Sequence, residues 1–134
     1  MRVFLDTNIL VYAVDRSDPA KRKRAREVMA ETAEPVLSAQ VLAEFVAVVT
    51  RKLATPMTLA QALRHVEALR GLAVEPIDAG LVIEAIELAD RASLSTWDAL
   101  IVRAAVRAEC DQIATEDLQH GTRIDGVEIV DPFR

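Results

Sequence analysis

The stretch Val3-Phe4-Leu5-Asp6-Thr7-Asn8 places three apolar residues directly before an aspartate, close to the amino terminus. Three consecutive apolar residues predict a strand that is buried on both faces, as in the centre of a parallel sheet. An ionised carboxylate beside a core is costly to desolvate, so Asp6 needs a cation, a hydrogen-bond donor or an open cleft. In open α/β sheets, ligands bind in the crevice beyond the carboxyl ends of the strands. We therefore expect other carboxylates of the chain to gather near Asp6.

The composition predicts one domain, covering residues 1–134, with a sizeable core. Apolar residues make up 51% of the chain, which excludes a disordered tail. Cys110 is the only cysteine, so an internal disulfide framework is excluded and a reducing cytoplasm is favoured. The sequence shows neither a signal-peptide pattern nor an apolar run long enough to cross a bilayer. We expect a cytoplasmic protein that does not act at a membrane.

Charge is distributed unevenly along the chain. A net charge of −5 does not by itself predict nucleic-acid binding. Basic residues nevertheless cluster early in the sequence, at Lys21, Arg22, Lys23, Arg24 and Arg26, whereas acidic residues crowd the end. A solvated helix face is the more frequent explanation of such a basic run. An acidic total with a local basic patch is also compatible with a phosphate-bearing substrate that is held partly through metal ions.

Short strands and helices alternate along the whole sequence. Strands are predicted at residues 3–5, 35–37, 72–77, 111–115 and 128–130, with helices between them. The alternation predicts an α/β fold, with a doubly wound, mainly parallel sheet of four to five strands flanked by helices. Thr7 or Asn8 is the expected cap of the first helix. The helix that begins near Ser95 is apolar almost all round, so we expect it to be buried.

Four acidic residues are candidates for chemistry at one end of this sheet. Asp6 and Asp117 follow predicted strands, Glu44 flanks the apolar stripe of a helix, and Asp98 begins the apolar helix. Glu44 alone could be a boundary residue, and Asp98 alone could be part of a helix cap. Carboxylates gathered in one cleft repel one another, and a hard divalent cation reverses that penalty. Carboxylates and water suit Mg²⁺ or Mn²⁺, whereas zinc would call for Cys or His. Such ions support phosphodiester hydrolysis.

The four acids, in their local sequences, resemble those of PIN domains, and in particular the VapC-type ribonuclease toxins of bacterial toxin–antitoxin pairs. The matching segments are Leu5-Asp6-Thr7-Asn8, Glu44 in the third helix, Trp97-Asp98-Ala99-Leu100-Ile101 and Thr115-Glu116-Asp117. The resemblance covers essentially the whole chain. It implies a Mg²⁺- or Mn²⁺-dependent endoribonuclease that is usually a homodimer and is neutralised by a VapB-like antitoxin lying in the cleft.

The same resemblance assigns roles to individual residues. It implies that Asp6, Glu44, Asp98 and Asp117 are catalytic, and that Asp6, Asp98 and Asp117 bind the metal. Thr7 and Asn8 would lie beside the site, and Thr115 would orient Asp117 or a water. Because Glu116 adjoins Asp117, the choice between them as fourth acid stays open. The residues that could guide the RNA backbone are Lys21, Arg22, Lys23, Arg24 and Arg51.

Other functions fit the sequence less well. A phosphatase with a strand-end aspartate as nucleophile typically needs a second acid two residues later, where this chain has Asn8. No glycine-rich turn follows any strand, which disfavours a nucleotide-binding fold. The main alternative is a catalytically idle module of the same fold that binds RNA or a partner helix. The presence of all four acids favours the nuclease. One helix face, formed by Leu59, Leu63, Val66 and Leu69, fits either the core or a dimer interface.

Overall fold

A six-stranded, mostly parallel sheet is flanked by six helices in the computed structural model, which describes all 134 residues. The strands are β1 (Arg2–Leu5), β2 (Glu34–Ser38), β3 (Ala73–Glu75), β4 (Gln112–Ala114), β5 (Arg123–Ile124) and β6 (Val127–Val130). The helices are α1 (Thr7–Val14), α2 (Pro19–Glu31), α3 (Ala39–Val49), α4 (Leu59–Ala68), α5 (Ala79–Ala92) and α6 (Thr96–Arg107). The strand order is β3-β2-β1-β4-β6-β5, and only β5 is antiparallel to its neighbour. The predicted fold class is confirmed, with six strands instead of four to five.

Strand β1 lies inside the sheet between two parallel neighbours. Phe4 and Leu5 are fully buried, as the apolar run predicts. Leu5 pairs with Ala114 of β4, and the backbone N–H of Asp6 donates to the Ala114 carbonyl oxygen at 3.1 Å. Because the two strands are parallel and in register, the residues that follow them, Asp6 and Thr115, come to lie side by side.

The helices bury most of the expected apolar positions, with two exceptions. Helix α6 is buried along most of its length, as predicted. In α5, the helical spacing of the sequence predicts Ile86 on the inward face, but this was wrong, since Ile86 is 53% exposed and Leu88 is buried. In α4, Leu59 is 71% exposed and Leu63 is 55% exposed. The apolar face of α4 therefore extends from the core onto the surface.

Asp6 is the N-cap of α1, which corrects the prediction of Thr7 or Asn8. Its Oδ1 atom accepts from the backbone N–H of Thr7 at 2.7 Å. The capping role begins one residue earlier than expected because β1 passes into α1 without a loop. No helix has the length and apolar character that a membrane span requires.

A tight hairpin joins β5 to β6 at Asp125 and Gly126. Their φ angles are +50° and +85°, as a two-residue hairpin turn of left-handed residues requires. Arg91 of α5 and Arg103 of α6 each donate to Asp125 at 2.8 Å. Burial alone would raise the pKa of Asp125, but these hydrogen bonds outweigh burial and hold that pKa below its ordinary value. The turn is therefore tied to both helices on that side.

Candidate active site

Asp6 is the buried acid at the centre of the site, with only 6% of its surface exposed. Oδ1 accepts from the Thr7 backbone N–H, and Oδ2 accepts from the Thr115 hydroxyl at 2.8 Å. Burial raises the pKa of Asp6 from 3.8 to about 6, although both hydrogen bonds act to lower it. The negative charges of Asp117 and Glu44 raise it further. No lysine or arginine pairs with Asp6, so its ionised form is held by neutral donors alone.

Glu44 lies beside Asp6 and is also held by neutral donors. The Thr7 hydroxyl donates to Glu44 Oε2 at 2.8 Å, and Gln40 Nε2 donates to Oε1 at 2.9 Å. Gln40 and Glu44 are four residues apart on α3 and therefore share a face of that helix. Thr7 thus connects the two acids, since its backbone N–H bonds to Asp6 and its hydroxyl to Glu44.

Asp117 is exposed and joins the same network through Asn8. Asn8 Nδ2 donates to Asp117 Oδ2 at 3.0 Å and to Thr115 Oγ1 at 3.2 Å. The Thr115 hydroxyl oxygen also accepts from the Asp117 backbone N–H at 3.0 Å. Thr115 therefore contacts Asp6, Asn8 and Asp117 at once. Asn8 Oδ1 is buried and has no hydrogen-bond partner.

Glu116 lies in a different environment from its neighbour Asp117. Its carboxylate accepts from Lys21 Nζ at 3.0 Å and from the Tyr12 hydroxyl. Lys21 also lies over the rings of Tyr12 and Phe133. Glu116 is thus neutralised by a cation, whereas Asp117 adjoins Asp6 and Glu44.

Asp98 is the one candidate acid that the structure does not bring into this network. Its backbone N–H donates to Ser95 Oγ at 3.0 Å, so the predicted cap of α6 is present. Its carboxylate makes no hydrogen bond or salt bridge, and the reciprocal bond of a capping box is missing. Gln40, which bonds to Glu44, also donates to the carbonyl oxygen of Trp97 at 3.3 Å and so links the acids to the residue before Asp98.

The arrangement of acids at the ends of β1 and β4 agrees with a family match. Residues 3–123 match the family described as PIN domain. The chain belongs to the PIN domain family. No curated protein matches its sequence.

This PIN domain is similar in fold to several solved structures. A toxin–antitoxin complex from Klebsiella pneumoniae has a TM-score of 0.73 and 21% identity, over 97% of each chain. VapC20 of Mycobacterium tuberculosis, described as a sarcin–ricin loop cleaving toxin, has a TM-score of 0.69 and 20% identity, over 86% of this chain and 91% of that one. VapBC-1 of nontypeable Haemophilus influenzae has a TM-score of 0.69 and 18% identity over the whole of both chains. At these identities the similarity concerns the fold.

A groove of about 460 Å³ in this PIN domain opens over Glu44 and Asp117. Four predicted site residues line it, namely Thr7, Asn8, Glu44 and Asp117, whereas Asp6, Asp98 and Thr115 do not. The lining residues are Thr7, Asn8, Val11, Tyr12, Glu44, Ala47, Val48, Lys52 and Asp117. Lys52 and Gln40 had no predicted role at this site. The spacing of Gln40 four residues before Glu44 was a usable signal, whereas nothing in the sequence placed Lys52 at this groove.

The donor atoms of the groove fit a hard divalent cation. They are carboxylate oxygens, hydroxyl oxygens and the unpartnered Oδ1 of Asn8, with no sulfur or imidazole among them. The repulsion of Asp6 by Asp117 and Glu44 is the penalty that such a cation removes. No three side chains among His, Cys, Asp and Glu are arranged to hold a metal ion together. The donors therefore match the metal by their chemistry, and the ligand set stays a prediction.

Proposed function

We propose that this PIN domain is a Mg²⁺- or Mn²⁺-dependent endoribonuclease that hydrolyses RNA phosphodiester bonds, and that it is the toxin of a VapBC-type pair. The observation that carries the proposal is the cluster of buried Asp6 with Glu44 and Asp117, the last two of which line the groove. All three carboxylates are held there by neutral donors, and none has a cationic partner. Most other acids that contact a side chain in this protein do so through lysine or arginine.

The candidate acids and the residues that bond to them have separate parts in the proposed reaction. Asp6, Asp98 and Asp117 would hold the metal, and Glu44 would complete the site. The bound ion would supply a polarised phosphate and a water of lowered pKa. Thr115 and Thr7 fix the orientation of Asp6 and Glu44, and Asn8 aims Asp117 at the groove. The role of Asp98 rests on the resemblance, because its carboxylate contacts none of the others.

The toxin assignment is supported by the similar structures, several of which are VapC proteins or their complexes with antitoxins. The expected partner is accordingly a VapB-like antitoxin, and the expected site of action is the cytoplasm. The exposed apolar residues Leu59 and Leu63 on α4 are suited to a homodimer interface.

The test is RNA cleavage by the purified chain, freed of any partner, in Mn²⁺, Mg²⁺ or EDTA. The substrates are a pool of structured and unstructured RNAs, and Asp98→Ala and Asp117→Asn are assayed in parallel. We expect discrete products with 5′-phosphate and 3′-hydroxyl ends, absent in EDTA and in both variants. Cleavage that persists in EDTA would refute the proposal.

The idle binding module is separated from the nuclease by the response to metal. The nuclease should gain melting temperature in Mn²⁺, and the gain should disappear in Asp6→Asn. An absence of cleavage together with an absence of that shift would favour the idle module.

A further inference from the structure

A second cleft, of about 890 Å³, lies beside the acid groove and is lined by basic side chains. It is formed by the end of α1, the first half of α2, and α4 with the segment before it. Four arginines line it, and we call it the arginine cleft. They are Arg16, Arg22, Arg26 and Arg64, and His65 lies with them. Asp15 is the only acid in the lining, and its Oδ1 accepts from the backbone N–H and the hydroxyl of Ser17. None of the four arginines forms a salt bridge.

Six of the twelve lysines and arginines outside this cleft form salt bridges, whereas none of the four arginines inside it does. Arg24 pairs with Glu27 and Glu31, and Lys21 pairs with Glu116. Arginines on α5 and α6 pair with Asp125, Asp78 and Glu84. The chain has more acidic than basic residues, with a net charge of −5, yet the four guanidinium groups around this cavity have no acidic partner. Like charges in that arrangement repel one another until an anion enters.

Two guanidinium nitrogens in the cleft support anion binding, because one lacks a hydrogen-bond acceptor and the other holds its side chain in place. Arg22 Nε is buried and has no hydrogen-bond acceptor. A buried donor without a partner is destabilising, and an incoming anion that accepts from it would remove that cost. Arg26 Nε donates to the carbonyl oxygen of Ala13 at 2.9 Å, so its position is fixed while its terminal nitrogens make no protein hydrogen bond.

The position of the cleft relates it to the acids. Helix α1 begins at Thr7 in the acid groove and ends at Val14 in the arginine cleft. At 1.5 Å per residue, its eight residues extend about 11 Å. Beyond α3, Lys52 lines the groove and Ala54 lines the cleft. A few nucleotides of an RNA strand are enough to cover this distance, because even in a B-form DNA duplex one strand carries a phosphate per ~3.4 Å of helix axis.

We propose that the arginine cleft binds backbone phosphates of the RNA substrate, on one side of the bond that is cleaved over the acid groove. The inference rests on the proposed nuclease function and adds a substrate-binding site to it. Planar guanidinium groups match phosphate oxygens in pairs, which favours a phosphate over a lone carboxylate. Of the basic residues that the sequence suggested for this task, only Arg22 lines the cleft.

The test measures binding of a 5′-fluorescent single-stranded RNA 12-mer to the full chain in EDTA, by anisotropy, across a range of KCl concentrations. The cleft variant is Arg22→Gln/Arg64→Gln. The matched control is Arg70→Gln/Arg134→Gln, which removes two exposed arginines that have no salt bridge and lie outside the cleft. We expect at least about tenfold weaker binding by the cleft variant near 0.1 M salt. The slope of log K against log salt should become shallower by about 1.4, the value for two lost phosphate contacts on a single strand.

The control should weaken binding by less than about threefold, since it alters only the overall field. Equal losses in the cleft and control variants would overturn the proposal. Displacement of the RNA by polyglutamate of equal charge, as effectively as by unlabelled RNA, would also overturn it and would indicate an acidic protein segment. If Arg22→Gln lowers the melting temperature, Arg16→Gln/Arg64→Gln repeats the test with two exposed residues.

The same variants separate this proposal from the nuclease itself. Cleft-dependent binding without cleavage in Mn²⁺ would refute the nuclease and leave the phosphate site standing. Cleavage and binding that are equal in the cleft and control variants would leave the nuclease standing and refute the phosphate site.

Discussion

Replacing Asp6 by asparagine is expected to stabilise the metal-free chain at neutral pH, even though Asp6 caps α1 and bonds to Thr115. Burial, with smaller contributions from Asp117 and Glu44, raises the pKa of Asp6 from 3.8 to about 6. That rise corresponds to a penalty of about 3 kcal/mol on the ionised form. Asparagine carries no charge and removes the penalty.

The substitution also removes a hydrogen bond, and this loss offsets part of the gain in stability. The side-chain oxygen of asparagine still accepts from the Thr7 backbone N–H, but its amide nitrogen replaces the oxygen that accepts from Thr115. The lost hydrogen bond costs about 1–1.5 kcal/mol. We therefore expect Asp6→Asn to be more stable than the wild type by about 1–2 kcal/mol at pH 7.5.

The pH dependence gives the sign of the effect. Between pH 3.8 and about 6, the folded state binds more protons at Asp6 than the unfolded state does. Stability of the wild type therefore falls as pH rises through this window and then levels off. Asp6→Asn lacks this fall, so the variant should be the less stable of the two near pH 3.5 and the more stable above pH 6.

Urea unfolding in EDTA at successive pH values, followed by circular dichroism, measures both effects. Asp90→Asn, on the exposed face of α5, is the control and should follow the wild-type profile. With Mn²⁺ at about 100 times its dissociation constant, the wild type should gain about 2.7 kcal/mol and Asp6→Asn almost nothing. A variant that is less stable than the wild type at pH 7.5, or that keeps the same pH profile, would refute the reasoning.

Three further pairs of substitutions test the site and the hairpin. Glu116→Gln should keep RNA cleavage within about threefold, whereas Asp117→Asn should lower it by about 100-fold or more, measured on gels. Thr115→Val should lose about 1–3 kcal/mol in urea unfolding and about 10- to 100-fold in cleavage, and Thr115→Ser should restore most of both, because the hydroxyl returns. Gly126→Ala should cost about 1–2 kcal/mol because its φ is +85°, whereas Gly71→Ala, with open space and no left-handed φ, should leave thermal stability nearly unchanged.

Each of these expectations has an outcome that would contradict it. A loss of cleavage in Glu116→Gln, with activity retained in Asp117→Asn, would exchange the roles of the two acids. Failure of Thr115→Ser to recover would mean that the methyl packing, and not the hydroxyl, supports Asp6. Equal stability of Gly126→Ala and Gly71→Ala would mean that the hairpin turn relaxes without cost.

The parallel sheet and the position of Asp6 could be predicted because both depend on local pattern. A short apolar run that ends at an acid predicts a buried strand and a polar strand end. Once strands and helices alternate, topology rules bring the ends of β1 and β4 together. Neither step requires knowledge of how any two side chains pack. This is why Asp6 and Asp117 were predicted at the same end of the sheet, where Thr115, placed at the site only by the family resemblance, contacts both.

Features that depend on helix rotation could not be predicted in the same way. Helix α5 is apolar on several faces, so its periodicity did not separate buried Leu88 from exposed Ile86. The contact of Lys52 with the acid groove depends on where the chain turns after α3. The β5–β6 hairpin is different, since Asp125-Gly126 is a strong turn signal. That strand was missed because it is only two residues long.

The distribution of unpaired charge gives the strongest physical argument against the idle module. A protein that bound only a partner helix would gain stability by neutralising Asp6 or by pairing its acids with its arginines. This chain instead holds unpaired carboxylates in one groove and unpaired guanidinium groups in a cleft about 11 Å away along α1. Coulombic attraction over that distance is screened by salt, so the two sets do not neutralise each other. The groove attracts a cation and the cleft attracts an anion. An RNA strand that lies across both, with a divalent metal at its phosphate, satisfies the two sets together.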